Sequence, residues 1–130
     1  MADTFKFELV TPERMALSQD AAQVVVPGVE GDFTVLAGHA PVISALRPGI
    51  IDVTLPDASK TRIFVKGGFA EVDAGHLTVL AERALDVEAM DAATIAAELE
   101  TAQADLASAT DDAGRLAAAS AVERLRGLGR

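Results

Sequence analysis

Few side chains in this chain could do chemistry, and most of them gather in one stretch. From Pro27 to Pro41 the sequence reads Pro-Gly-Val-Glu-Gly-Asp-Phe-Thr-Val-Leu-Ala-Gly-His-Ala-Pro. Glu30 and Asp32, with only Gly31 between them, are a carboxylate pair that could share acid–base work. His39 adds an imidazole, one of two in the chain with His76. Neither histidine has a second His or a Cys at ligand spacing, so no metal site is expected. Lys66-Gly67-Gly68 is not a phosphate-binding loop, which needs glycines before the lysine and a hydroxyl after it. No serine occupies a Gly-x-Ser-x-Gly turn. Nothing here assembles a catalytic set or calls for a cofactor, and the chain is read as a non-enzyme. The stretch reads instead as two polar loops around one short strand, able to present Asp32 and His39 at the same end of a sheet. A flat polar display suits a protein surface better than a substrate pocket. A plainer reading of His39 is a bond to a nearby carbonyl that fixes the turn before Ala40-Pro41.

The elements that must hold this stretch change character near Asp86. Before it, β-branched residues, Phe and Gly form short runs with turn punctuation. Phe5, Phe7 and Leu9 alternate with Lys6 and Glu8. Further runs cover 22–26, 33–36, 42–46, 50–55, 61–65, 69–72 and 77–81. Strands at such spacing predict an antiparallel β-sandwich or barrel. Val24-Val25-Val26 does not alternate and is expected to be covered on both faces. Gly67-Gly68 predicts a bulge or tight turn. Glu82 and Arg83, at the junction of the halves, read as an interdomain ion pair or as solvated residues.

After Asp86, Ala dominates. Ile95, Leu99, Ala102, Leu106 and Ala109 recur at helical spacing on one face. Asp91 is placed to cap that helix, and Asp111 or Asp112 a second one carrying Ala118, Val122 and Leu125. The two make an αα-hairpin. Its Ala-rich seam has little apolar area to bury, which predicts weak docking and a capacity to move.

Composition narrows the function classes. The 130 residues contain no Cys, Trp or Tyr and carry a formal net charge of −9. Disulfides and thiolate sites are excluded, and nucleic acid would be repelled. The same field favours a basic partner surface. The start of the chain lacks a signal-peptide pattern, and no apolar run approaches the ~20 residues of a membrane helix. Direct membrane insertion is not expected.

Four blocks carry a family resemblance: Pro27 to Pro41, Leu46-Arg47-Pro48-Gly49, Gly67-Gly68-Phe69-Ala70-Glu71-Val72, and Leu77 to Ala84. In this order and spacing they resemble the epsilon subunit of the F-type ATP synthase. The resemblance implies a β-sandwich of about ten strands, residues 1–85, followed by a helical hairpin, residues 86–130. It implies a non-catalytic rotor subunit at the foot of the central stalk, which couples c-ring rotation through gamma to ATP synthesis. Glu30, Gly31 and Asp32 look like the c-ring contact, with Asp32 facing an arginine of the ring loop. His39 continues that surface toward gamma through Ala40, Pro41 and Val42. The hairpin would bring the alpha and beta subunits within reach. The implied location is peripheral, on the cytoplasmic face of the bacterial inner membrane, held through the complex. The alternative is a free-standing acidic β-sandwich that binds some other protein.

Two departures from the family concern the hairpin. Many members bind ATP through Ile or Leu, Asp, two variable residues, Arg and Ala. Here Met90 and Asp91 keep the opening, but Thr94 stands in place of the arginine, which predicts weak or absent ATP binding. From Asp86 to Asp112 there are eight carboxylates and no Lys or Arg, the basic residues coming late at Arg115, Arg124, Arg126 and Arg130. Inhibition of hydrolysis through an acidic segment of beta should therefore be weak.

Overall fold

The structure, a computed structural model, describes residues 3–128. Arg130, counted above among the late basic residues, lies outside them. Eight strands precede two helices: β1 (Phe5–Val10), β2 (Met15–Ala21), β3 (Gln23–Gly28), β4 (Gly31–Leu36), β5 (Val42–Ala45), β6 (Gly49–Thr54), β7 (Lys60–Asp73), β8 (His76–Asp86), α1 (Ala92–Ser108) and α2 (Asp112–Leu128). Hydrogen bonding orders the strands β2-β1-β8-β7-β6-β3-β4, with β5 joined to β7. Neighbours are antiparallel except β1 with β8. Residues from distant parts of that order share one buried core: Phe7 and Leu9 of β1, Val24 and Val26 of β3, Ile51 of β6, Val79 of β8. The ladder therefore folds over on itself into a mainly β sandwich.

β7 makes this possible by changing partners along its length. Its first half pairs with β6 and its second half with β5. Between the halves Gly67 and Gly68 take φ of +66° and +118°. A Cβ on Gly68 would lie 1.9 Å from the Leu80 carbonyl oxygen. The register is unchanged across the pair, Lys66 opposite Arg83 and Gly68 opposite Ala81. The glycines thus bend the strand without inserting a residue, and neither the bulge nor the tight turn expected from the sequence forms. The same continuity explains why eight strands are found where the resemblance implies about ten: β7 and β8 run unbroken where a higher count divides them.

Two further differences have local causes. β2 is not announced by the sequence pattern, because Ser18, Gln19 and Asp20 dilute it and only Ala21 is fully buried. Val25 is half-buried between the buried Val24 and Val26, so β3 is covered on one face and partly on the other.

Strand alternation gives β7 a second role. Ile63 and Val65 enter the sandwich core, so Phe64 between them points outward. Its cross-strand neighbours are Ile50 on β6 and Leu85 on β8. This outer platform seats the hairpin, with Phe64, Val87, Ala102, Ala121, Val122 and Leu125 buried together. The seam is bulkier than the helix sequence alone suggests, because the sandwich supplies Phe64, Ile50 and Leu85. Of the two junction residues, Arg83 makes an interdomain ion pair, reaching Glu98 on α1 at 2.6 Å, whereas Glu82 is exposed and in no ion pair among the described residues. Both helices start on the expected caps: the Asp91 carboxylate accepts from the Thr94 amide at 2.8 Å, and Asp111 from the Gly114 amide at 2.7 Å. The predicted apolar face of α1 is the one turned inward, with Ala102 fully buried.

Candidate partner-binding surfaces

β3 and β4 meet in a two-residue turn, Val29-Glu30, closed by pairing of Gly28 with Gly31. Gly31 has φ of +132°, a conformation that glycine adopts without strain as the chain re-enters β4. The next residue, Asp32, does not stand free. Arg47 Nη2 donates to its Oδ1 at 2.6 Å, and Arg47 Nη1 donates to the Gly28 carbonyl at 2.9 Å. One guanidinium thereby spans the two arms of the turn. Both side chains of the pair remain partly solvated, which holds its worth to about 0–1 kcal/mol. Glu30 is exposed, and no cation pairs with it among the described residues.

The bond to a nearby carbonyl expected of His39 in its plainer reading is present. Its Nδ1 lies 2.7 Å from the Ala40 carbonyl, and its ring is tilted against Phe33 at 6.4 Å between centroids. Phe33 packs toward the core, whereas Asp32, its neighbour on the strand, is exposed on the other side. The structure therefore gives Asp32 and His39 different companions, Arg47 for one and Phe33 for the other. Ala40, Pro41 and Val42 are exposed and lead from the His39 loop into edge strand β5.

Beyond that loop lies a feature that the motifs alone do not announce. Ala45 pairs with Phe69, Phe69 with Leu80, Leu80 with Val10, and Val10 with Met15. These cross-strand steps draw one apolar line over β5, β7, β8, β1 and β2. Its members alternate with the core residues Ala70, Val79 and Leu9, so they point to solvent. Phe69 is 55%, Leu80 53% and Met15 53% exposed, and Ile43 beside them is 68% exposed. Large apolar side chains scattered singly are ordinary, whereas a line of them is a candidate interaction surface. The signal was present in the sequence as apolar residues on both parities of 69–72 and 77–81. Which parity faced outward depended on the core.

The degenerate nucleotide motif falls at the start of α1. Met90 is half-buried against the second core, and Asp91 is committed to the helix cap. The Thr94 amide, then its hydroxyl, hold the Asp91 carboxyl below its ordinary range. Asp57 is lowered likewise by the Ser59 hydroxyl and amide in the β6–β7 turn. Among the described residues, no helix is long and apolar enough to cross a membrane.

Comparison with known proteins matches residues 4–87 to the ATP synthase Delta/Epsilon chain, beta-sandwich domain. The chain belongs to the ATP synthase delta/epsilon family. Relatives named ATP synthase epsilon chain extend the match through the hairpin. That of Parvibaculum lavamentivorans is 46% identical over 128 residues, 98% of this chain and 97% of that protein. That of Maricaulis maris is 46% identical with 98% and 96% covered. Among solved structures, a chain of the Euglena gracilis mitochondrial ATP synthase OSCP/F1/c-ring assembly superposes with a TM-score of 0.73 at 28% identity, covering 96% of this chain and 79% of that one. A chain of the Tetrahymena thermophila mitochondrial ATP synthase central stalk and c-ring shares the fold, with a TM-score of 0.63 at 17% identity and 96% of each chain covered.

Proposed function

We propose that this chain is the coupling piece at the foot of a bacterial ATP synthase central stalk. As a member of its family it is a non-catalytic subunit of that complex. Its outer apolar line, from Ala45 and Phe69 through Leu80 to Met15 with Ile43 alongside, seats the gamma subunit. Ala40, Pro41 and Val42 border that seat. The acidic turn of Glu30, Gly31 and Asp32, with His39 on the adjoining loop, meets the polar loops of the c-ring. Two faces on one rigid sandwich let rotation pass from ring to shaft without any reaction in the chain itself. The observation that carries this reading is the exposed apolar line, which a free sandwich of this size has no reason to keep open to water. Coupling demands many simultaneous contacts, since one exposed ion pair would slip.

The hairpin, residues 86–130, acts in this reading as a separate regulatory unit that docks on the Phe64 platform and can leave it. The acidic span from Asp86 to Asp112 makes it a weak brake on hydrolysis, with alpha and beta as its partners. The Thr94 substitution and the commitment of Asp91 to its cap support weak or absent ATP binding. The subunit is held at the cytoplasmic face of the inner membrane through the complex. Extraction of washed membranes tests the role as a whole: the chain is expected to leave the membrane only together with a multisubunit ATPase. Recovery as a free soluble protein would instead favour the independent binding module.

A further inference from the structure

The two carboxylates of the foot turn differ in one respect that decides their roles. Asp32 is spoken for within the chain, held by Arg47 at 2.6 Å. Glu30, at the tip of the turn, has no cationic partner among the described residues. Arg47 itself is firmly placed. Its amide donates to the Pro27 carbonyl at 3.0 Å, and the preceding Leu46 amide to the Gly68 carbonyl at 2.9 Å. Leu46 also bridges to Gly28. The Val29 amide donates to the Ala45 carbonyl at 3.0 Å. Segment 45–47 is thus stitched to the bend of β7 on one side and to the foot turn on the other.

From this geometry we infer that Arg47 is the positioning residue of the foot turn, and that Glu30 is the carboxylate left to pair with a cationic partner. Asp32 is part of the clamp. It orients the turn through Arg47 and meets the partner as one half of a formed pair. The inference rests on the reading of this turn as the ring contact, and it reverses the expectation that Asp32 supplies the charge. A guanidinium is needed for the clamp because it reaches two acceptors at once, the Gly28 carbonyl and the Asp32 carboxylate. A lysine ammonium is a point donor on a flexible stem and cannot hold both in one plane.

Double-mutant cycles separate the two roles, since paired groups show non-additive losses and independent ones add. The first cycle uses the full chain alone, with Asp32→Asn, Arg47→Gln and both together, read as unfolding equilibria. The pair is expected to be non-additive, with Arg47→Lys restoring only part of the loss. The second set uses the assembled synthase, read as rebinding of the catalytic part to stripped membranes. Glu30→Gln is combined with neutralisation of the ring-loop arginine, and Asp32→Asn with the same change. Glu30→Gln is expected to cost about two- to fivefold and to cost nothing further once the ring arginine is gone. Asp32→Asn is expected to couple to the ring change more weakly than Glu30→Gln does, because Asp32 acts on the ring only through the turn it orients. If Asp32 is coupled to the ring arginine and additive with Arg47, the assignment is overturned. If the chain-alone cycle behaves as expected but every synthase variant rebinds as the wild type, the turn does not face the ring, and the ring-contact reading falls along with the role given to Glu30.

Discussion

Ser120 on α2 donates its hydroxyl to the Pro48 carbonyl at 2.7 Å, across 72 residues of sequence. This bond and the Phe64 platform define the docked hairpin. Leu125→Ala removes a fully buried side chain from that second core. It should cost about 2–5 kcal/mol of docking stability. Hydrogen exchange should then speed up across α1 and α2 while β1, β3 and the first half of β7 keep their protection. Equal loss of protection in the sandwich would show one cooperative unit instead.

The β7–β8 connection is a two-residue turn with positive φ at both positions, Ala74 at 43° and Gly75 at 82°. That is the geometry in which Asn-Gly is preferred, and alanine is strained. Ala74→Asn should stabilise the chain by roughly 0.5–1 kcal/mol. A rise in the thermal midpoint would check this.

Gly68 is the opposite case. Any side chain there meets the Leu80 carbonyl oxygen and the Ala81 backbone, and the φ of +118° adds strain. Gly68→Ala should cost at least 3 kcal/mol, roughly the scale of a severe core defect. Denaturant unfolding would report it. A variant with unchanged stability would mean that β7 can straighten without cost.

The Asp91 carboxyl is held below its ordinary value of 3.8 by the Thr94 amide and hydroxyl. A lowered folded pKa stabilises above the unfolded value and is lost as pH falls through the folded one. The first turn of α1 should therefore fray only below about pH 4, and Asp91→Ala should abolish that acid step in an NMR titration. With Asp91 committed to its cap and Thr94 in the position of the family's arginine, calorimetry on the isolated chain should find no micromolar ATP binding.

Most of the fold was legible because its signals are local. Alternation at Phe5, Phe7 and Leu9, the caps at Asp91 and Asp111, and the helical spacing from Ile95 to Leu106 each follow from neighbours within a few residues. β2 was not, because Ser18, Gln19 and Asp20 carry no apolar rhythm and the strand exists by pairing with β1. The foot turn was legible as a display of carboxylates, but the division between them was not. That division depends on Arg47, fifteen residues beyond Asp32, and long-range pairing leaves no trace in spacing. The apolar line was legible only in part: apolar residues stand on both parities of 69–72 and 77–81, but Phe69, Leu80 and Met15 become one surface only once five strands are in register.

The most direct measurement is capture of gamma by this chain and by its Phe69→Glu variant, each with and without residues 86–130. The wild-type chain should bind gamma in either form, and a charge in the middle of the apolar line should weaken capture by tenfold or more, about 1.4 kcal/mol, with the sandwich still folded by circular dichroism. Equal capture by the folded variant would remove the outer face from the gamma contact, and with it the claim that the sandwich transmits rotation.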